Sequence, residues 1–126
     1  MYNNLHGVFE LIEDAIDAAY EAQHILEAQY TTEDRQKFID NVKAEALKVV
    51  NEETIKEFEE TGYGRLDQKL LKNYGSIADN PGVESLKHQV LASGKGVTVE
   101  FAAPYGTVGA LTPVTNGLVT VVCNTL

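Results

Sequence analysis

The chain has 126 residues, ten Lys and Arg residues against 19 Asp and Glu, and a formal net charge of −9. Nucleic acids and anionic membranes are bound by clusters of basic residues, so this composition argues against both partners. A single cysteine rules out an internal disulfide and is typical of a reducing compartment, so a cytoplasmic location is expected. No stretch approaches the roughly 18 apolar residues of a membrane span.

The first half of the sequence has the periodicity of helices. Apolar residues recur at i, i+3 and i+4 over residues 8–29, and acidic residues occupy the other face, which predicts an amphipathic helix. Thr31-Thr32-Glu33-Asp34 predicts the start of a second helix, which runs to about Val50. Asn51 predicts the cap of a third, short helix that stops at Gly62. A turn at Gly64 and a fourth helix from Arg65 are predicted to follow.

The pattern changes after Asn80-Pro81-Gly82, a turn signal. Residues 97–101 alternate between apolar and polar side chains, which predicts a half-buried strand. Ser93-Gly94-Lys95-Gly96 precedes it and is typical of a hairpin loop. This strand is therefore expected to pair with residues 88–92.

Thr107 to Leu111 form a short uncharged run without alternation, the pattern of a strand buried on both faces. Such a strand needs neighbours on both edges, and a parallel neighbour needs a crossover of about a dozen residues or more. Residues 117–126 supply at most the start of that crossover. The order of elements thus predicts an α/β chain that is a segment of a larger enzyme.

Three sequence motifs occur in a fixed order along the chain. They are Glu60-Thr61-Gly62-Tyr63-Gly64-Arg65 with Lys69 and Lys72-Asn73 following, Asn80-Pro81-Gly82-Val83-Glu84, and Pro104–Ala110 with Thr112–Asn116. Together they are similar to the CoA-acylating branch of the aldehyde dehydrogenase superfamily, which handles aldehydes derived from ethanolamine or propanediol. The resemblance runs from Gly7 to Asn124, and it departs from the branch at Gly117, where Pro is usual, and at Asn80, where Thr is usual.

The resemblance implies a division of the chain into three parts. Residues 1–80 are expected to form an N-terminal helical segment, and residues 81–103 a turn and a β-hairpin. Residues 104–126 are expected to hold the first strand and the start of the first helix of an incomplete NAD-binding, Rossmann-like domain.

The resemblance also implies a function for the longer protein. It would oxidise a short aldehyde through a cysteine thiohemiacetal, pass hydride to NAD+ and release the acyl group to coenzyme A, as a homo-oligomer in the cytoplasm or in a bacterial microcompartment. The family's nucleophilic cysteine and general base lie downstream, so the 126-residue chain alone is expected to be inactive and to bind neither NAD nor coenzyme A. The alternative is a self-standing, non-catalytic interaction module of helices and a hairpin.

Asn116 is the predicted catalytic residue. By the resemblance, its side-chain NH2 donates to the oxyanion that forms when the thiolate attacks the aldehyde, a task for a neutral and fixed donor. From the sequence alone, a helix N-cap remains open for the same residue. By the same resemblance, the preceding residues line the cofactor and substrate channel, although termination of the strand would also explain them; they are Thr112, Pro113, Val114 and Thr115.

Other residues with reactive side chains are expected to be structural. Cys123 has apolar neighbours at Val121 and Val122, a setting that makes a thiol unreactive. His6, His24 and His88 do not have the spacing of metal ligands, so no metal site is predicted.

Overall fold

The structure is a computed structural model that describes residues 7–126. The predicted helical segment 1–80 therefore begins outside the described residues. His6, which was predicted not to bind a metal, lies outside them. Within residues 7–126, the chain forms four α-helices, one short 3₁₀ helix at Val83–Leu86 and one two-stranded sheet. The elements are α1 (Ile12–Gln29), α2 (Thr32–Thr61), α3 (Leu66–Ala78), β1 (Gln89–Ser93), β2 (Gly96–Glu100) and α4 (Gly117–Thr125).

Helix α2 is one continuous helix of 30 residues. It starts at the predicted cap, where Thr31 Oγ1 accepts from the Asp34 amide at 3.2 Å and the Asp34 carboxylate accepts from the Thr31 amide at 3.3 Å. It ends at Gly62, whose φ of 65° is left-handed, as predicted. The predicted break at Asn51 is wrong. Val50 and Thr54 are both buried, so their packing stabilises a helix that continues through Asn51. Asparagine is only weakly unfavourable in the interior of a helix.

The core lies where α2, α3 and α4 pack against one another. Its buried apolar side chains are Ile39, Val50 and Ile77. Helix α3 begins after Arg65, as predicted, and the left-handed Gly64 supplies the turn before it. Helix α1 begins at Ile12 and buries none of its residues. No helix in the described part of the chain is both long and apolar enough to cross a membrane.

Strands β1 and β2 form the predicted antiparallel hairpin. The register pairs Gln89 with Glu100 and Ser93 with Gly96, so Gly94 and Lys95 form a two-residue loop. The predicted half-burial of β2 is wrong, because every residue of both strands is exposed. Among the described residues, no other element packs against either face of the hairpin.

The structure does not confirm the predicted strand at residues 107–111. This segment has no regular secondary structure, and the side chains of Val108 and Leu111 are 71% and 95% exposed. A strand is stabilised by backbone hydrogen bonds to its neighbours, and within residues 7–126 the sheet consists of β1 and β2 alone. The segment therefore has no strand to pair with. Helix α4 follows and begins at Gly117.

Candidate functional site

Asn116 occupies the N-cap position of α4, at the end of a tight turn. The backbone N–H of Asn116 donates to the Pro113 carbonyl at 3.2 Å, and its backbone carbonyl accepts from the Thr120 N–H at 3.0 Å. The backbone of Asn116 is therefore fixed on both sides. Its side chain makes no capping hydrogen bond to the helix. The alternative role of a helix cap is therefore not supported by the side-chain contacts of Asn116.

The Asn116 side chain contacts α3 instead. Lys72 Nζ donates to Asn116 Oδ1 at 2.6 Å. Asn116 Nδ2 donates weakly to the Thr115 hydroxyl at 3.4 Å, and both residues are exposed. The amide thus presents its carbonyl oxygen to a cation and keeps its NH2 available as a donor.

A shallow cleft lies beside this amide. Its walls are the α2–α3 turn, the first two turns of α3 and the two residues before α4. Its basic lining residues are Arg65, Lys69 and Lys72. Arg65 Nη2 is paired with Asp67 at 2.9 Å, and Lys69 is paired with Glu57 at 3.3 Å. The lining residues are Tyr63, Gly64, Arg65, Gln68, Lys69, Lys72, Thr115 and Asn116.

The four residues predicted to bind the cofactor form the exposed segment that leads into α4. All of Thr112, Pro113, Val114 and Thr115 are exposed, and none carries a charge. Thr115 lines the cleft beside Asn116, whereas the other three line a second depression between α2 and α4. The structure therefore brings one of the four next to the predicted catalytic amide.

A buried polar cluster lies beneath the site, joining α2 to α3. Asn73, which is fully buried, donates through Nδ2 to the Thr54 hydroxyl at 2.9 Å and to Glu57 Oε2 at 3.2 Å. Lys69 Nζ lies 3.3 Å from the same carboxylate oxygen, and the two charged side chains are only 7% and 9% exposed. We call Thr54, Glu57, Lys69 and Asn73 the polar cluster.

Sequence reasoning missed the polar cluster, although a signal was present. Lys69 and Asn73 are four residues apart, and Thr54 and Glu57 are three apart, so each pair shares one helix face. Val50 and Ile77 extend those same faces with apolar residues. Polar residues at core-facing positions indicate a buried hydrogen-bonded network.

Glu57 also links the polar cluster to the first turn of α4. Burial raises the pKa of the Glu57 carboxyl, but the hydrogen bond from Asn73, the ammonium of Lys69 and the Leu118 amide together lower the pKa below its ordinary value of 4.5. A Cβ atom added to Gly117 would stand 3.4 Å from Glu57 Oε1. The ionised carboxylate therefore faces the positive end of the α4 dipole.

Cys123 lies on α4, away from the cleft. It is partly buried, and its thiol faces the Ser76 carbonyl at an Sγ–O distance of 3.9 Å. It borders an apolar depression with Ile39 and Val42 and does not line the cleft beside Asn116. Across residues 7–126, no group of three or more His, Cys, Asp or Glu side chains is arranged to hold a metal ion.

Comparisons with known proteins identify the relatives of the chain. It is 38% identical over 120 residues to the acetylating acetaldehyde dehydrogenase EutE of Salmonella typhimurium, and 29% identical over 120 residues to a CoA-propanoylating propanal dehydrogenase of the same organism. The first match covers 95% of this chain and 25% of the relative, and the second covers 95% and 26%. No family model matches the chain. The chain is homologous to the N-terminal part of CoA-acylating aldehyde dehydrogenases.

Two solved enzyme structures contain a segment with the fold of this chain. A propionaldehyde dehydrogenase from the fucose utilisation microcompartment of Clostridium phytofermentans superposes with a TM-score of 0.82 at 31% identity, covering 94% of this chain and 27% of that one. An engineered glycolyl-CoA reductase with bound NADP+ superposes with a TM-score of 0.84 at 33% identity and the same coverage. These comparisons confirm the predicted resemblance, and the chain spans about a quarter of the length of the acylating dehydrogenases it matches.

Proposed function

We propose that the chain is the N-terminal segment of an NAD-dependent, CoA-acylating aldehyde dehydrogenase. The observation that carries the proposal is the 38% identity to an acetylating acetaldehyde dehydrogenase over 95% of this chain. In the proposed reaction, a short aldehyde, coenzyme A and NAD+ give the acyl-CoA, NADH and a proton. The longer protein is proposed to work as a homo-oligomer in the cytoplasm or a microcompartment, the setting named for one solved relative.

The role proposed for Asn116 is to stabilise the oxyanion formed by thiolate attack on the aldehyde. Its carbonyl oxygen is held by Lys72, and its exposed NH2 has only a long contact of 3.4 Å to Thr115. A neutral donor that is fixed before the reaction stabilises developing negative charge without reorganising. This geometry supports an oxyanion role better than a capping role.

The cofactor proposal rests on the segment that leads into α4. Thr112 and Thr115 supply hydroxyl groups, and residues 112–115 are exposed and uncharged, so this segment offers hydrogen-bonding groups to a ligand. The depression that Thr112, Pro113 and Val114 line also holds Glu53, Glu57 and Glu60. When bound, the nicotinamide cofactor would accept the hydride. Thr112, Pro113, Val114 and Thr115 are proposed to lie along the cofactor and substrate channel.

The test of the proposal is substitution of Asn116 in the full-length enzyme that contains this segment. Asn116→Ala should lower kcat by about 10²–10³, the usual loss for one oxyanion donor. Asn116→Asp should be at least as damaging because it places an acceptor where negative charge develops. Turnover is measured as CoA-dependent NADH formation from acetaldehyde or propionaldehyde, and NAD+ affinity should stay unchanged. Normal turnover combined with lower thermal stability would assign Asn116 to helix capping.

The isolated 126-residue chain provides a second test. It should form no NADH under the same conditions, since its oxyanion donor has no nucleophile to serve. Activity that Cys123→Ser abolishes would refute the structural role of that cysteine. An inactive chain that is monodisperse and binds little apolar dye would favour a self-standing interaction module.

A further inference from the structure

We propose that Lys72 is a positioning residue that sets the orientation of the Asn116 amide, an inference that rests on the proposed function. Its ammonium lies 2.6 Å from Asn116 Oδ1. Lysine has three donor hydrogens and no acceptor, so only the oxygen end of the amide can occupy that position. A flipped amide would place its NH2 against the ammonium, donor against donor.

The bond from Lys72 also strengthens the NH2 group as a donor. A hydrogen bond to a charged group is stronger than a neutral one, and hydrogen bonds in a chain polarise one another. Positive charge at Oδ1 draws electron density from the amide nitrogen and makes its hydrogens better donors. The same contact therefore fixes the direction of Nδ2 and increases its hydrogen-bonding strength.

The surroundings of Lys72 suit this role. Within the described residues, Lys72 forms no ion pair with a carboxylate, and its ammonium bonds to the Asn116 amide oxygen. The residue next to Lys72 is Asn73, whose buried hydrogen bonds fix this turn of α3 against α2. The backbone that carries the ammonium is thus held in place even though the side chain is exposed.

A double-mutant cycle in the full-length enzyme tests the proposal. Lys72→Met should lower kcat by about 10-fold to 100-fold, the range for loss of a charge-assisted hydrogen bond. In the Asn116→Ala background, the same substitution should change kcat by less than about 2-fold, since the group it positions is already gone. Lys72→Arg should restore most of the turnover, because a guanidinium is also a donor without an acceptor.

The control is Lys48→Met, which removes an exposed lysine that is paired with Glu45 on α2. It should leave kcat unchanged. A purely structural Lys72 would cause the same loss in both backgrounds, which overturns the proposal. If Lys72→Met keeps full turnover while Asn116→Ala loses most of it, the positioning role of Lys72 is overturned and the proposed function remains intact. Full turnover of Asn116→Ala overturns the oxyanion role of Asn116, whereas a lack of CoA-dependent NADH formation by the unsubstituted enzyme overturns the proposed function itself.

Discussion

Removal of the buried ammonium of Lys69 is expected to destabilise the fold severely. Lys69→Met keeps the length of the side chain and its apolar contacts but deletes the positive charge. Glu57, with only 9% of its side chain exposed, then loses the cation that lies 3.3 Å from its carboxylate. One hydrogen-bond donor, Asn73, still contacts Glu57 Oε2.

The size of the effect follows from burial. Removing one partner of a buried ion pair costs about 3–5 kcal/mol, because the remaining charge is left uncompensated. Exposed ion pairs contribute only about 0–1 kcal/mol. Lys56 is the matched control on α2: it lies 2.8 Å and 2.7 Å from Glu52 and Glu53, but its side chain is 57% exposed. Lys56→Met should therefore cost less than about 1 kcal/mol.

Urea unfolding of the 126-residue chain, followed by circular dichroism at 222 nm, measures both costs. The protein concentration is kept below that at which the chain self-associates, so that the midpoint is independent of concentration. With a slope of about 1.5 kcal/mol/M, Lys69→Met should lower the midpoint by about 2–3 M. The double variant Lys69→Met/Glu57→Gln should recover part of the loss, since no buried charge remains. Equal effects for Lys69→Met and Lys56→Met would show that burial does not set the strength of the Glu57–Lys69 pair.

The pH dependence gives an independent check of the same reasoning. The lowered pKa of Glu57 contributes stability above its ordinary value of 4.5, and this contribution is lost as the pH falls through the folded pKa. Without Lys69, burial acts against fewer opposing contacts, so the pKa of Glu57 rises. The cost of Lys69→Met should therefore be smaller at pH 4 than at pH 7.

Three further predictions concern local structure and association. Gly62→Ala should destabilise the fold by about 1–2 kcal/mol, because the backbone φ of Gly62 is 65°. Gly75→Ala should stabilise the fold by up to about 1 kcal/mol, because Gly75 lies in the interior of α3 with open space around it. The urea midpoints of the two variants compare these effects. Thr31→Ala removes a helix cap and should cost about 1 kcal/mol of stability at pH 7. Hydrogen bonds from Lys37 and Thr31 lower the pKa of Asp34 to about 2. The cost of Thr31→Ala should therefore become smaller as the pH falls toward that value. The isolated chain should self-associate and bind an apolar dye through its exposed hairpin, and a monodisperse, dye-free chain in sedimentation velocity would contradict this.

The sequence predicted helices best where a local signal coincided with packing. The capping pair Thr31 and Asp34 and the left-handed Gly62 depend on neighbouring residues alone, so their roles could be recognised without a structure. The predicted break at Asn51 is wrong because asparagine in the interior of a helix costs less than about 1 kcal/mol relative to alanine. The buried contacts of Val50 and Thr54 on either side outweigh that cost.

The strand predictions depended on partners outside the local sequence. The hairpin was predictable because its two-residue loop and its pairing partner are adjacent in the chain. Burial of β2 and pairing of residues 107–111 need other elements to cover them, and no sequence pattern can supply those elements. The oxyanion role of Asn116 came from resemblance, since its own position before a helix is equally typical of a cap.

The polar cluster connects the fold to the candidate site. Glu57 accepts from Asn73 on α3 and faces Gly117 at the start of α4, so one carboxylate contacts both helices that bear the site. The position of Lys72 is set by its neighbour Asn73, and the position of Asn116 is set by the start of α4. The distance between Lys72 and Asn116 is therefore set by buried contacts, although both side chains are exposed. Replacing Glu57 should consequently disturb Asn116 more than replacing an exposed residue of the cleft, because it moves the helices and not one side chain.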